Sequence, residues 1–283
     1  PDEVVIYKDQ LREDFQDSDS LSNILEKHYH SKENYIELDV FGEKLSITYE
    51  EMDEWEEDAN RKMPLFRDMY LNKGKDRDQE IKGLMGSPII AFHSYKGGVG
   101  RTLSLISLLK EISNVYGNKK RVLVVDSDLE APGLTWALEK NAQFSMSYLD
   151  LLSIWGVYGD TEETIEKVAS IMQGDAIYLN ADRERVKHYF LPAYLQEEQM
   201  ATMMPRIDSL LNASDDEYLI TEAISRLGKA VGADLILVDL RAGVSNISAP
   251  FLFDPRVQKY FVSSTSLQSI KGTQFIEQQI YGK

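Results

Sequence analysis

The residues that most constrain the fold run from Pro88 to Ile112. A short apolar run, PIIAFHS, gives way to a loop carrying Gly97, Gly98 and Gly100, and then to TLSLISLLKEI, with apolar residues at helical spacing. A strand that ends in glycines and restarts as a helix predicts a strand–loop–helix unit. Glycine lets backbone N–H groups turn inward as an anion nest, and the helix start adds the positive end of a dipole. A hydroxyl at that start, here Thr102, is the group such loops use to hold Mg²⁺.

The same grammar repeats to the end of the chain. KRVLVVDSD reads as a second strand, AIYLNA or HYFLPA as a third, and GADLILVDLRAG as a fourth after the helix YLITEAISRLGKAVG. VQKYFVSSTS is a fifth, followed by a helix at LQSIKGTQFIEQQI. Continuous Val/Ile/Leu strands alternating with helices predict an α/β fold, a mainly parallel sheet with helices on both faces. Such sheets take ligands beyond the carboxyl ends of their strands, where the polar motifs fall.

The first 88 residues read differently. They hold 12 Lys and Arg against 23 Asp and Glu, so they carry −11 of the net charge of −16 and form a separate acidic, mostly helical region. SDSLSNILEKHY begins with capping residues and spaces Leu21, Ile24, Leu25 and Tyr29 as a helix does. YIELDVFGEKLSITYEEM alternates on either side of Phe41, Gly42 and Glu43, predicting a β-hairpin that runs into a helix capped by Thr48 with Glu51 three residues on. The acidic run from Glu50 to Asp58 is then the wet face of that helix, with an acidic docking surface as the alternative. Tyr70 to Pro88 reads as a tether, placing the second domain over residues 89–283.

Composition narrows the function classes. The 283 residues are 43% hydrophobic, enough for a real core, and contain no cysteine, which excludes disulfides, thiolate metal sites and a cysteine nucleophile. The acidic balance disfavours bulk attachment to nucleic acid or anionic lipid, so neither membrane binding nor direct nucleic-acid binding is expected of this segment. Neither a signal peptide nor an apolar run near the ~20 residues of a membrane span is present, and a cytoplasmic setting is expected.

The motif KGGVGRT, Lys96 to Thr102, resembles the deviant Walker A motif of the ParA/MinD class of P-loop ATPases, whose pattern is Lys-Gly-Gly-x-Gly-Lys-[Ser/Thr]. The resemblance covers Ile89 to the C-terminus and implies ATP and Mg²⁺ as cofactors. Lys96 matches the signature lysine that reaches the partner's nucleotide in an ATP-dependent homodimer. Gly97, Gly98, Val99, Gly100, Arg101, Thr102 and Leu103 would bind nucleotide, and Thr102 the metal. Arg101 departs from the pattern, as it does in a group of ParA-like ATPases with a KGGVGR loop. Arginine keeps a permanent charge and forks onto two oxygens, whereas lysine is compact. Nucleotide binding should survive that change, and a site that binds without turnover is the alternative.

Two acidic motifs follow. RVLVVDSDLEAPGL puts Asp126 and Asp128 just past a strand and resembles the family's Asp-x-Asp motif; on that resemblance Asp126 supports the magnesium shell and Asp128 positions the attacking water. Both could instead cap the next helix. ADLILVDLRAG ends in Asp239 and resembles Walker B, whose acid binds Mg²⁺ through water. On that resemblance Gly243 would offer its N–H to the γ-phosphate, and Arg241 would pair with an acid, contact the dimer partner or support the transition state.

The remaining candidates are plainer. His28, His30, His93 and His188 show no metal-ligand spacing, and His93 reads as a packed or loop-supporting residue. SMSYLDLLSIW reads as core or interface packing. The 15 tyrosines are scattered, without the terminal cluster of related tyrosine kinases. The resemblance implies a slow, dimeric switch ATPase, with further protein partners or fused domains in a longer protein of a multi-gene bacterial system, anti-phage defence included. A nucleotide-sensing scaffold and a partition or positioning ATPase are its alternatives.

Overall fold

The computed structural model describes residues 3–8, 22, 28–38, 43–51, 82–138, 144–181, 184–196, 198–199 and 218–281. The chain divides into two compact units, Pro1–Met63 and Pro64–Lys283.

The first unit is a sheet of β1 (Glu3–Lys8), β2 (Tyr29–His30), β3 (Tyr35–Leu38) and β4 (Glu43–Glu51), in the order β1-β4-β3-β2. The expected hairpin is present: β3 pairs antiparallel with β4, Tyr35 facing Ser46 and Leu38 facing Glu43. Its predecessor β2 joins β3 through Asn34, whose positive φ of 53° turns the chain and whose Nδ2 donates to the Ile47 carbonyl at 2.7 Å. The expected helix cap at Thr48 is corrected. β4 runs through Thr48 to Glu51 because β1 pairs parallel along it, from Ser46 to Glu51, extending the ladder where the capping pattern predicted a helix start. The helix expected to run to Tyr29 is corrected at its end, where Tyr29 pairs with Ile36 in β2; residues 23–27 of it, the helix expected over 52–58 and most of the expected tether lie outside the described residues.

The second unit holds a six-stranded sheet in the order β10-β5-β9-β6-β8-β7. Its strands are β5 (Ile89–His93), β6 (Val122–Asp126), β7 (Ala176–Asn180), β8 (Arg185–Leu191), β9 (Leu235–Asp239) and β10 (Gln258–Phe261). All neighbours pair parallel except β7 and β8, an antiparallel hairpin that makes strands of both AIYLN and RVKHYFL. The helices are α1 (Arg101–Tyr116), α2 (Gly133–Leu138), α3 (Tyr148–Tyr158), α4 (Glu162–Ile171), α5 (Leu219–Val231), α6 (Ala249–Phe253) and α7 (Leu267–Tyr281).

The continuous apolar strands feed two cores because successive side chains face opposite sides of the sheet. Val122, Val124, Phe92 and Leu237 pack with Leu105 and Leu109 of α1. Leu123, Val125, Ile236 and Val238 pack on the other side with Leu149 and Leu152 of α3 and with Ala223, Ile224 and Leu227 of α5. SMSYLDLLSIW thus belongs to the core, its helix started by a capping box of Ser147 and Asp150. Residues 82–88 are bound, not free. Gly86 N–H donates to Ser225 Oγ at 3.1 Å, Ser87 N–H to the Ser225 carbonyl at 2.9 Å, and Ser87 Oγ to the Ala233 carbonyl at 2.6 Å.

Candidate functional site

The site lies at the carboxyl ends of β5, β6 and β9, the central strands. From His93 the chain passes Ser94 and Tyr95 into the glycine loop, where Gly98 (φ 73°) and Gly100 (φ 94°) hold left-handed conformations that a side chain resists. α1 starts immediately afterwards. No side chain caps its first turn and that turn contains no acid, so its leading N–H groups carry a partial positive charge without a side-chain acceptor. A cleft of about 590 Å³ opens there, lined by Gly97, Gly98, Gly100, Arg101, Thr102, Leu103, Asp128, Glu130 and Arg241 among others. Lys96 is exposed on the loop and does not line this cleft, Val99 is partly buried, and Leu103 is exposed at the mouth.

β6 and β9 pair with Asp126 opposite Asp239, both fully buried. The two acids have different surroundings. Asp126 Oδ2 accepts from Thr135 N–H at 2.8 Å and Thr135 Oγ1 at 2.9 Å, and Oδ1 accepts from Asp128 N–H at 3.2 Å. Thr135 sits in the first turn of α2, so Asp126 caps that helix, the plainer of its two expected roles. Burial, and then the neighbouring Asp239 charge, push the Asp126 carboxyl up to about 7.

Asp239 instead faces the loop. Its Oδ2 accepts from Thr102 Oγ1 at 2.6 Å and its Oδ1 from Arg101 Nε at 2.5 Å. The Arg101 guanidinium turns a second N–H onto Asp128 Oδ2 at 2.9 Å. Asp128 Oδ1 accepts from Ala131 N–H at 3.1 Å. Arg101 is only 8% exposed. Burial opposes its charge, but Asp239 and Asp128 more than offset that and raise its pKa. Burial leaves Asp239 above the ordinary carboxylate value even with Arg101 and Thr102 donating to it.

The loop after β9 is tied to the end of β5. Gly243 N–H donates to the Ser94 carbonyl at 2.9 Å, and the Gly243 carbonyl accepts from His93 Nε2 at 2.8 Å. Gly243, at φ 78°, is therefore corrected from its expected place: its N–H is engaged by backbone and not presented to the cleft. Burial pulls His93 down to about 4, so the ring is neutral and donates through Nε2. Arg241 takes the first of its three expected roles, pairing with Glu130 at 2.5 Å on the rim.

The residues present fit a divalent cation carried by phosphates. Among the described residues no three His, Asp or Glu side chains could hold a metal alone. Thr102 and Asp239 offer one hydroxyl and one carboxylate, the small protein share that suits Mg²⁺ when phosphates and water complete its shell. Sequence reasoning missed Thr135, which ties Asp126 to α2; Glu130, which pairs Arg241; and Gly272 of α7, whose missing Cβ makes room for the Tyr95 ring. None stands at a motif position, so only the fold reveals them.

No protein-family model and no curated protein matches the chain. Solved structures similar to it include pNOB8 ParA bound to nonspecific DNA, at 17% identity over 70% of this chain and 60% of that one, TM-score 0.43. Others are a ParA family ATPase from Chlorobium tepidum TLS, at 19% identity over 68% and 67%, TM-score 0.41, and cobyrinic acid a,c-diamide synthase from Mycobacterium smegmatis with bound ATP analogue and magnesium, at 19% identity over 69% of each chain, TM-score 0.44. The chain thus spans 60% of the length of the first of them. The parallel sheet, the glycine loop between β5 and α1, and the aspartates ending β6 and β9 make the second unit a mainly parallel α/β fold whose polar motifs gather at the carboxyl ends of its central strands.

Proposed function

We propose that the second unit binds ATP with Mg²⁺ in the cleft above α1 and hydrolyses it slowly as a two-state switch. The observation that carries this reading is the uncapped, glycine-turned start of α1, whose Thr102 lines one cleft with Asp128 and donates to the buried Asp239. Backbone N–H groups of the loop bind the phosphates; Thr102 and Asp239 would hold Mg²⁺, which when bound would supply positive charge beside them. Asp128 orients the attacking water, and Asp126 acts one layer behind by fixing Asp128 and α2. Lys96, exposed and outside the cleft, is free to reach the nucleotide of a second copy, so the ATP state is a homodimer. Slow turnover suits a switch whose ATP form must last long enough for a partner to read it. The setting that fits is a larger cytoplasmic bacterial system, anti-phage defence among them.

A second reading has one observation in its favour. Arg101 pairs with Asp128 at 2.9 Å, engaging the carboxylate that would orient water, and such a chain would sense nucleotide without consuming it. Phosphate release from Mg-ATP, measured beside solution mass, separates the two. Slow release by the wild type, lost in Lys96→Ala and in Asp128→Ala while the latter still binds ATP and accumulates as a dimer, is expected. ATP binding without release in the wild type would favour the sensor.

A further inference from the structure

We infer that Arg101 is the resident counter-ion of Asp128 and Asp239, so that this site accepts a divalent cation only together with nucleotide phosphates. The inference rests on the nucleotide-binding reading above and specifies how its metal enters. All four carboxylate oxygens are already satisfied: Asp239 by Arg101 Nε and Thr102 Oγ1, Asp128 by the second Arg101 nitrogen and Ala131 N–H. The guanidinium is almost fully enclosed. A free cation that took these carboxylates would leave that guanidinium buried without an anion, which is strongly unfavourable. Incoming phosphates remove the obstacle, because they are anions onto which the guanidinium can turn.

Arginine is required for this arrangement. Its Nε and terminal nitrogen donate to two different acids at once from a planar group, whereas lysine concentrates its donors on one atom at the end of a flexible stem. Arg101 therefore holds both acids until an incoming anion draws the guanidinium away.

The probe is Mn²⁺, followed by electron paramagnetic resonance with the full chain, first without nucleotide. Wild type is expected to leave the free Mn²⁺ signal intact, Arg101→Gln to bind Mn²⁺ about tenfold tighter or more, and Arg101→Lys to fall between them. With ATP added, wild type should take up Mn²⁺ beyond the share that ATP binds by itself, as read by dialysing the chain against a protein-free ATP control. Nucleotide-free wild type that binds Mn²⁺ as tightly as Arg101→Gln overturns the inference. If circular dichroism shows Arg101→Gln unfolded, wild type alone decides: uptake that requires ATP supports the counter-ion role, and uptake without ATP overturns it. Failure of ATP to bind under any condition overturns the nucleotide reading instead, while the nucleotide-free comparison still judges Arg101.

Discussion

Asp126 and Asp239 end neighbouring strands in register, yet their surroundings set them to different tasks. Asp239 receives a guanidinium and a hydroxyl from the loop, whereas Asp126 receives only neutral donors and is raised to about 7. Its folded value lies above the ordinary 3.8, so the native chain binds a proton that the unfolded chain has lost. The stability it contributes is full below about pH 4 and is lost as pH rises to 7, by on the order of 1 kcal/mol per pH unit. Asp126→Asn is expected to remove that slope, read as the difference from wild type in urea unfolding at pH 4.5, 5.5 and 6.5. A difference that stays constant would show Asp126 ionised throughout. The comparison must be a difference because His93 and His188, both lowered to about 4 by burial, act in the opposite sense as pH falls below the ordinary histidine value of 6.5.

Elements are held to one another by small residues at close approaches. A Cβ on Gly86 would run into the backbone of α5 at Ser225 and Arg226, so residues 85–87 lie against that helix only because no side chain intervenes. Gly86→Ala should cost about 1–3 kcal/mol through that collision, and urea unfolding without a shift in midpoint would contradict it. This contact also marks where sequence reasoning stopped. The run from Tyr70 to Pro88 has the composition of a tether, and nothing in its spacing announces that Ser87 and Ser225 exchange hydrogen bonds across 138 residues. Strands, by contrast, were legible where burial is total or nearly so: VLVVD and LILVD are apolar enough to be read directly. The parallel pairing of β1 with β4 was not, because local alternation reveals a strand but not a distant neighbour.

At the scale of the whole molecule, the topology gathers what the sequence scatters. The order β10-β5-β9-β6-β8-β7 places β5, β9 and β6 side by side, so the glycine loop, Asp239 and Asp128 converge although 138 residues separate Arg101 from Asp239. The loop, Thr102 and the three aspartates were readable from their motifs. The orientation of Arg101, the engaged N–H of Gly243 and the Arg241–Glu130 pair were not, since each depends on how a loop sits against a strand far away in sequence. The first unit has its own mixed sheet of four strands. The account stands on ATP binding by the glycine loop, which calorimetric titration of ATP with Mg²⁺ into the full chain tests most directly. One ATP per chain is predicted. Gly100→Ala should let the loop relax away from φ 94°, so that binding must restore that conformation at a cost of roughly 1–2 kcal/mol and weaken about five- to thirtyfold. An absence of binding heat, or a Gly100→Ala chain that binds as tightly as wild type, would contradict it.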